Sequence, residues 1–188
     1  MEKPLEKPLE KPLEKPLEKP KKPFLTARDF AYVIVLGALI MVTTMTIRIP
    51  LPGGSYTDLG DAIAMFAGWA FGWPVGGISD ALGATMGDLI GGYPFWAPFT
   101  IFIRGLQGVI FAVIGYRRNV YWKIVAGVCG QFWSSFGYMM VGVALYGWGA
   151  ALAVQLPLLI PDTAVKTAVG ILLFYGVTKA YPRLMAQR

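Results

Sequence analysis

Five ionisable side chains lie inside a stretch that is otherwise suited to the interior of a membrane. Residues 56–105 carry Asp58, Asp61, Asp80, Asp88 and Arg104 among apolar, small and aromatic residues. An ionisable group at the centre of a bilayer costs several kcal/mol, so it normally faces a partner, a bundle interior or a water-filled cavity. We therefore expect these five side chains to face a shared interior, near the aromatic segment YPFWAP at residues 93–98.

Composition gives the class of protein. Of 188 residues, 55% are hydrophobic and 15% are charged, which predicts an all-α integral membrane protein. The chain has no His and one Cys, Cys129, so the commonest metal ligand and general base are missing, and neither a disulfide framework nor a paired-Cys metal site is expected. We predict no metal, no cofactor and no enzymatic activity. The net charge is +6, but beyond residues 1–23 the basic residues lie mainly at helix ends, as membrane topology requires, which argues against nucleic acid as a partner.

The apolar runs predict six transmembrane helices. Basic residues cluster before the first run, between the fourth and fifth, and after the sixth, so the positive-inside rule predicts that both termini are cytoplasmic. The chain would then be a multi-pass membrane protein, with residues 48–57, 91–97 and 146–160 facing outward. The first of these segments, with two prolines and a Gly pair, is predicted to be a lid loop. The predicted helices span residues 27–47, 58–71, 74–90, 97–116, 121–145 and 161–181.

Residues 1–23 are set apart by composition. They consist mainly of EKPL-type repeats, and a Pro at every fourth position prevents a continuous helix. We predict a disordered tail, either a cytoplasmic tether or a cloning feature, followed by one six-helix substrate-binding domain over residues 24–188.

The polar residues of the third and fourth helices allow two interpretations. Asp80 and Asp88 share one face of the third helix, about 12 Å apart at 1.5 Å per residue, which is too far to share a metal or a proton. Each would be a separate acceptor, either structural, with one of the two pairing with Arg104, or in contact with a ligand. Arg104 needs an anionic partner, which is either Asp88 or Asp61 or an oxygen of a substrate.

The last two predicted helices carry the remaining polar candidates. Gln131 and Tyr138 lie on one face of the fifth helix, which would line a pocket for a flat heteroaromatic ligand or form interhelical hydrogen bonds. Asp162 and Lys166 have the spacing of a helix ion pair, and Lys166 lies deep enough to meet a ligand instead.

Several strings in this chain resemble a known family. The chain resembles the S-components of energy-coupling factor (ECF) transporters. The resemblance is carried by TDLGDA at residues 57–62, by the Gly-rich third helix, and by GGYPFWAPFT at residues 91–100, which leads to RGLQG at 104–108. S-components are the substrate-binding membrane subunits of a class of vitamin importers. The resemblance covers roughly residues 24–186. It is fairly specific for a branch assigned to the uptake of vitamin B6, hydroxymethylpyrimidine or riboflavin.

The resemblance implies a mechanism and partners. The S-component would capture its vitamin from outside, with the loop between helices one and two as a gate. It would then dock on a membrane scaffold subunit driven by two cytoplasmic ATPases. The family's first helix typically carries an Ala-xxx-Ala docking motif, which Ala27 and Ala31 match, whereas Ala38 has Ile34 four positions before it. The chain contains no Walker motif, so ATP hydrolysis is expected in the partners.

The resemblance also implies a substrate site drawn from the loops and the later helices. Aromatic residues would stack on a vitamin ring, and charged residues would bind its polar edge. The vitamin B6 group, such as pyridoxine, is the first choice, with riboflavin or hydroxymethylpyrimidine/thiamine as alternatives. A stand-alone secondary transporter or channel is the rival function, because intramembrane acids can serve as proton or ion sites. The predicted substrate-binding residues are Tyr56, Asp61, Asp88, Tyr93, Trp96, Arg104, Gln131, Tyr138 and Lys166, and the predicted docking residues are Ala27, Ala31 and Ala38.

Overall fold

The computed structural model describes residues 25–51 and 55–182. The repeat segment predicted to be disordered therefore lies outside the described residues. Six helices and one short hairpin make up the described chain, and the hairpin strands pair antiparallel with Arg48 opposite Asp58. In chain order the elements are α1 (Ala27–Thr46), β1 (Arg48–Leu51), β2 (Ser55–Asp58), α2 (Gly60–Phe71), α3 (Trp73–Ile90), α4 (Ala97–Gly115), α5 (Val120–Tyr146) and α6 (Trp148–Ala180).

Local sequence signals explain where several helices begin. Thr26 and Asp29 form a reciprocal capping box at the start of α1. Asn119 caps α5 by accepting a hydrogen bond from the backbone N–H of Trp122 at 3.3 Å. The turn between α2 and α3 is made by Gly72 at φ 85°, a left-handed conformation that favours glycine.

Helix α2 is the centre of the bundle. It packs against α1, α3, α4 and α6, and of its residues only Ile63 is not fully buried. A helix that is apolar on all sides is stable only when other helices surround it, which explains why a run of 12 residues suffices here. The other helices continue around it through the contacts α1–α3, α3–α4, α4–α5 and α5–α6.

Glycines allow three helices to touch at one crossing. A Cβ on Gly76 of α3 would lie 2.7 Å from the Cα of Gly68 on α2, and a Cβ on Gly108 of α4 would lie 2.4 Å from the carbonyl oxygen of Gly76. A second close approach joins α3 to α1, where a Cβ on Gly83 would lie 2.5 Å from the carbonyl oxygen of Gly37. Small residues of this kind let helix backbones approach in a membrane, where lipid gives no hydrophobic drive for association.

The outer surface of the bundle is apolar. Large hydrophobic side chains such as Phe102, Ile160 and Leu172 are more than 70% exposed on their helices, as expected where lipid rather than water surrounds the protein. In the described part of the chain, four helical segments are long and apolar enough to cross a membrane: Ala27–Thr46, Ala97–Gly115, Val120–Tyr146 and Leu159–Ala180. The chain is thus a multi-pass, predominantly helical membrane protein.

Two predicted segments differ in the structure. The segment predicted to be a lid loop contains the strands β1 and β2, which pair antiparallel. The sixth helix does not begin at Pro161 but at Trp148, and both Pro157 and Pro161 lie inside it. Proline is tolerated within membrane helices when neighbouring helices satisfy the backbone groups that it frees.

Candidate functional site

Asp61 is the hub of a buried network of charges. It lies in the first turn of the central helix α2 and forms an ion pair with Arg104 of α4. Its second oxygen, Oδ2, lies 2.8 Å from Nζ of Lys166 on α6. Arg104 also donates from Nε to Oδ1 of Asp80 on α3 at 3.0 Å. These four residues are each at most 6% exposed, so ion pairs away from water tie α4 and α6 to α2, and α3 to α4.

A chain of hydrogen bonds forms a second polar group between α3, α4 and α5. The hydroxyl of Tyr138 donates to Oγ1 of Thr100 at 3.1 Å, and Thr100 donates to Oδ2 of Asp88 at 2.6 Å. The ring of Trp96, at the start of α4, meets the ring of Tyr138 edge to face with centroids 5.9 Å apart. An aromatic pair thus lies beside a buried carboxylate, a combination that suits a flat polar ring.

Several buried polar atoms around the Asp61 network lack a hydrogen-bond partner among the described residues. They are Nη2 of Arg104, Oδ2 of Asp80, Oε1 of Gln107 and Nε2 of Gln131. The side chain of Gln131 lies beside the Asp61 carboxylate. Buried polar groups in native proteins nearly always have partners, so both donors and acceptors here have capacity for water or a ligand.

The network extends to the hairpin. Asp162 lies 2.8 Å from Nζ of Lys166 through Oδ2, and its Oδ1 accepts a hydrogen bond from Thr57 on β2. On the other strand of the hairpin, Arg48 of β1 donates to the carbonyl oxygens of Thr44, Gly87 and Gly91, at the C-terminal ends of α1 and α3. A cation is favourable at a helix C-terminus. The hairpin is therefore held at both of its strands.

The structure brings most of the predicted site residues together. Asp61, Arg104, Lys166 and Gln131 meet in the charged network, and Asp88, Trp96 and Tyr138 meet in the neighbouring polar group. Tyr93 lies under Arg48, whose guanidinium carbon is 4.8 Å from the ring centroid. The backbone of Tyr56 pairs with Pro50 in the hairpin, and its side chain is outside the described part of the structure.

Of the open interpretations, the structure pairs Arg104 with Asp61 and Asp80, not with Asp88. The Asp162–Lys166 ion pair at i, i+4 is present, and Lys166 is also joined to Asp61. Of the predicted docking residues, Ala27, Ala31 and Ala38 are all exposed, on the side of α1 that faces away from the buried Gly37.

Thr100, Gln107 and Asp80 lie in the two buried groups but are not among the predicted site residues. Thr100 and Gln107 share one face of α4 with Arg104, at i, i+4 and i+7, and this spacing alone is enough to include them. For Asp80 the sequence leaves open a structural acceptor that pairs with Arg104, and the structure shows this pair, which depends on the packing of α3 against α4. Sequence spacing within one helix carries no information on that contact.

Comparisons with known proteins agree with the helical membrane fold. The family model described as "ECF-type riboflavin transporter, S component" matches residues 24–181. A relative from Lactococcus lactis subsp. cremoris (strain MG1363), named "Thiamine precursor transporter HmpT", is 30% identical over 118 residues, 62% of this chain and 68% of its own length. A protein of Pyrococcus woesei, described as an uncharacterized protein in a gap 3' region, is 40% identical over 116 residues, 61% of this chain and 78% of its own length.

The family match covers all six helices and both polar groups, so the buried charges lie within the shared architecture. The chain belongs to the family of ECF-type riboflavin transporter S-components.

Proposed function

We propose that this protein captures a small heteroaromatic vitamin, or a vitamin precursor, at the outer face of a prokaryotic plasma membrane. The observation that supports this most is the meeting of an aromatic pair, Trp96 and Tyr138, with the buried Asp88–Thr100 group beside the charged network. A flat ring would stack against the aromatic residues, and its polar edge would bind the carboxylate and amide groups below.

The choice of vitamin follows the comparisons. The relative from Lactococcus lactis is named for a thiamine precursor, and the family is named for riboflavin. We therefore rank a pyrimidine precursor first and riboflavin second. Pyridoxine, the first choice from the sequence, ranks third, because neither comparison names it.

The proposed topology has six membrane spans with both termini in the cytoplasm. Helix α2 has only 12 residues, fewer than the roughly 20 needed to cross the hydrocarbon core unaided, so it would span within a sheath of neighbouring helices. The β1–β2 hairpin then lies on the outer side, where it would gate the site. The basic loop at residues 117–123 would face the cytoplasm.

The proposed partners are a membrane scaffold subunit and two ATPases. The exposed side of α1 with Ala27, Ala31 and Ala38 is the docking surface we propose for the scaffold, because small residues permit close helix approach. We assign no catalytic step to this chain, and ATP hydrolysis would supply the energy from outside it.

Mass spectrometry of small molecules released from the purified protein tests this function. We expect one pyrimidine, flavin or pyridoxine-type compound in near-stoichiometric amount. The absence of any such compound, together with no binding of the three free vitamers, would contradict the proposal. Uptake by vesicles that contain only this chain would instead favour a stand-alone transporter.

A further inference from the structure

The cations near the proposed site are already paired. Arg104 lies between the carboxylates of Asp61 and Asp80, and Lys166 lies between those of Asp61 and Asp162. A buried cation that already has two carboxylate partners has little charge left to offer an anionic ligand.

The third cation of this region is also occupied. The Arg48 guanidinium donates to three backbone carbonyl oxygens and lies against the ring of Tyr93. These bonds fix it at the helix ends.

The charge balance of the region is negative. Over residues 48–116 and 124–178 the chain carries five acidic and three basic residues, and every other basic residue lies near the opposite helix ends or the chain termini. All five acids except Asp162 are buried. A ligand that enters this region therefore meets a surplus of carboxylate charge in a medium of low dielectric constant.

The buried atoms without a partner among the described residues fit a ligand that is not an anion. Nε2 of Gln131 is a neutral donor, and Oε1 of Gln107 and Oδ2 of Asp80 are acceptors. Nη2 of Arg104 can donate to a neutral acceptor such as a ring carbonyl, since the charge of its guanidinium is matched by Asp61 and Asp80. Acceptors of this kind suit an amino group or a protonated ring nitrogen.

We propose that the site selects its ligand by charge: it binds neutral or singly cationic heteroaromatic vitamers and rejects their phosphorylated forms. This inference rests on the proposed function and adds to it the property that discriminates between substrates. An anion about 8 Å from one surplus carboxylate, at an effective dielectric constant of about 20, loses roughly 30-fold in affinity. A phosphate carries more than one charge, so at the same separation the loss would be larger.

Matched ligand pairs test the proposal. The probes are hydroxymethylpyrimidine and its phosphate, pyridoxine and its 5′-phosphate, and riboflavin and flavin mononucleotide, titrated against the purified full chain in lipid nanodiscs. For each free vitamer that binds, we expect its phosphorylated form to bind at least about 30-fold more weakly. A phosphorylated form that binds equally well or better would overturn charge selection and leave the transport function intact. No binding by any of the six compounds would overturn both.

Two variants check the physical cause. Asp80→Asn removes one surplus charge and should reduce the affinity ratio between free and phosphorylated forms by about tenfold or more. Asp29→Asn removes a carboxylate from the capping box at the far end of α1 and should leave the ratio unchanged. Equal ratios in the wild type and both variants would overturn the electrostatic argument, and the wild-type titrations stand even if Asp80→Asn fails to fold.

Discussion

Replacing Arg104 with methionine should destabilise the bundle strongly. The side chain is 4% exposed and holds two carboxylates, Asp61 and Asp80, on neighbouring helices. Methionine fills a similar volume but leaves the Asp80 carboxylate buried without its cation. Breaking a buried ion pair by removing one partner costs about 3–5 kcal/mol. Asp61 retains Lys166 as a partner, so the lost stability should come mainly from the unpaired Asp80 carboxylate.

Thermal unfolding of the detergent-solubilised protein measures this cost. At about 2–4 °C per kcal/mol for a chain of this size, Arg104→Met should lower the Tm by roughly 6–20 °C. The double variant Arg104→Met/Asp80→Asn removes the unpaired charge and should recover about half of the loss, since neutral replacements of buried ion pairs are often tolerated.

A matched control separates burial from loss of charge. Arg118→Met removes an arginine from an exposed position, where it lies over the ring of Trp122, and should change the stability by no more than about 0.5 kcal/mol. If Arg104→Met lowered the Tm no more than Arg118→Met does, or if the double variant were less stable than Arg104→Met, the ion-pair account would be wrong.

Two further predictions concern packing and the hairpin. Gly76→Ala should destabilise the folded protein by about 1–3 kcal/mol, because the new Cβ would meet the backbone of α2 at 2.7 Å. Gly176→Ala in α6 is the control, since its Cβ meets nothing within 4 Å, and it should be neutral or slightly stabilising. Equal Tm shifts for the two variants would contradict the close crossing. Asp162→Ala removes the acceptor of the Thr57 hydroxyl and should speed hydrogen exchange of the backbone amides in β2 about tenfold. Thr57→Val should give a similar increase. Unchanged exchange in both variants would show that this contact does not hold the hairpin.

Much of the architecture could be predicted from the sequence because helices in this chain are bounded by clear signals. The apolar runs of α1, α3 and α4 end at charged, Gly or Pro residues. The predicted ends of these three helices lie within one residue of the observed ones. The third helix is Gly-rich with two acids on one face, and in the structure its glycines make close helix contacts beside the buried Asp80 and Asp88. Signals of this kind depend only on residues near one another in the chain.

The elements that sequence analysis missed depend on contacts between distant segments. The hairpin is stabilised by Arg48 at the carbonyl oxygens of α3 and by the bond from Thr57 to Asp162, 105 residues away. Pro157 and Pro161 predicted a helix boundary, yet α6 continues through both. Which acid of α3 pairs with Arg104, Asp80 or Asp88, depends on the register of α3 against α4, which no spacing within one helix reveals.

The affinity of the purified protein for its vitamin, measured for the wild type, Trp96→Ala and Trp122→Ala, tests the central claim most directly. Trp96 lies against Tyr138 beside the buried Asp88–Thr100 group, whereas Trp122 lies at the opposite end of α5. Loss of one stacked aromatic ring should cost about 1–3 kcal/mol, or roughly 5-fold to more than 100-fold in Kd. We predict that loss for Trp96→Ala and an unchanged Kd for Trp122→Ala. Equal affinities in all three proteins would contradict a binding site at this aromatic pair.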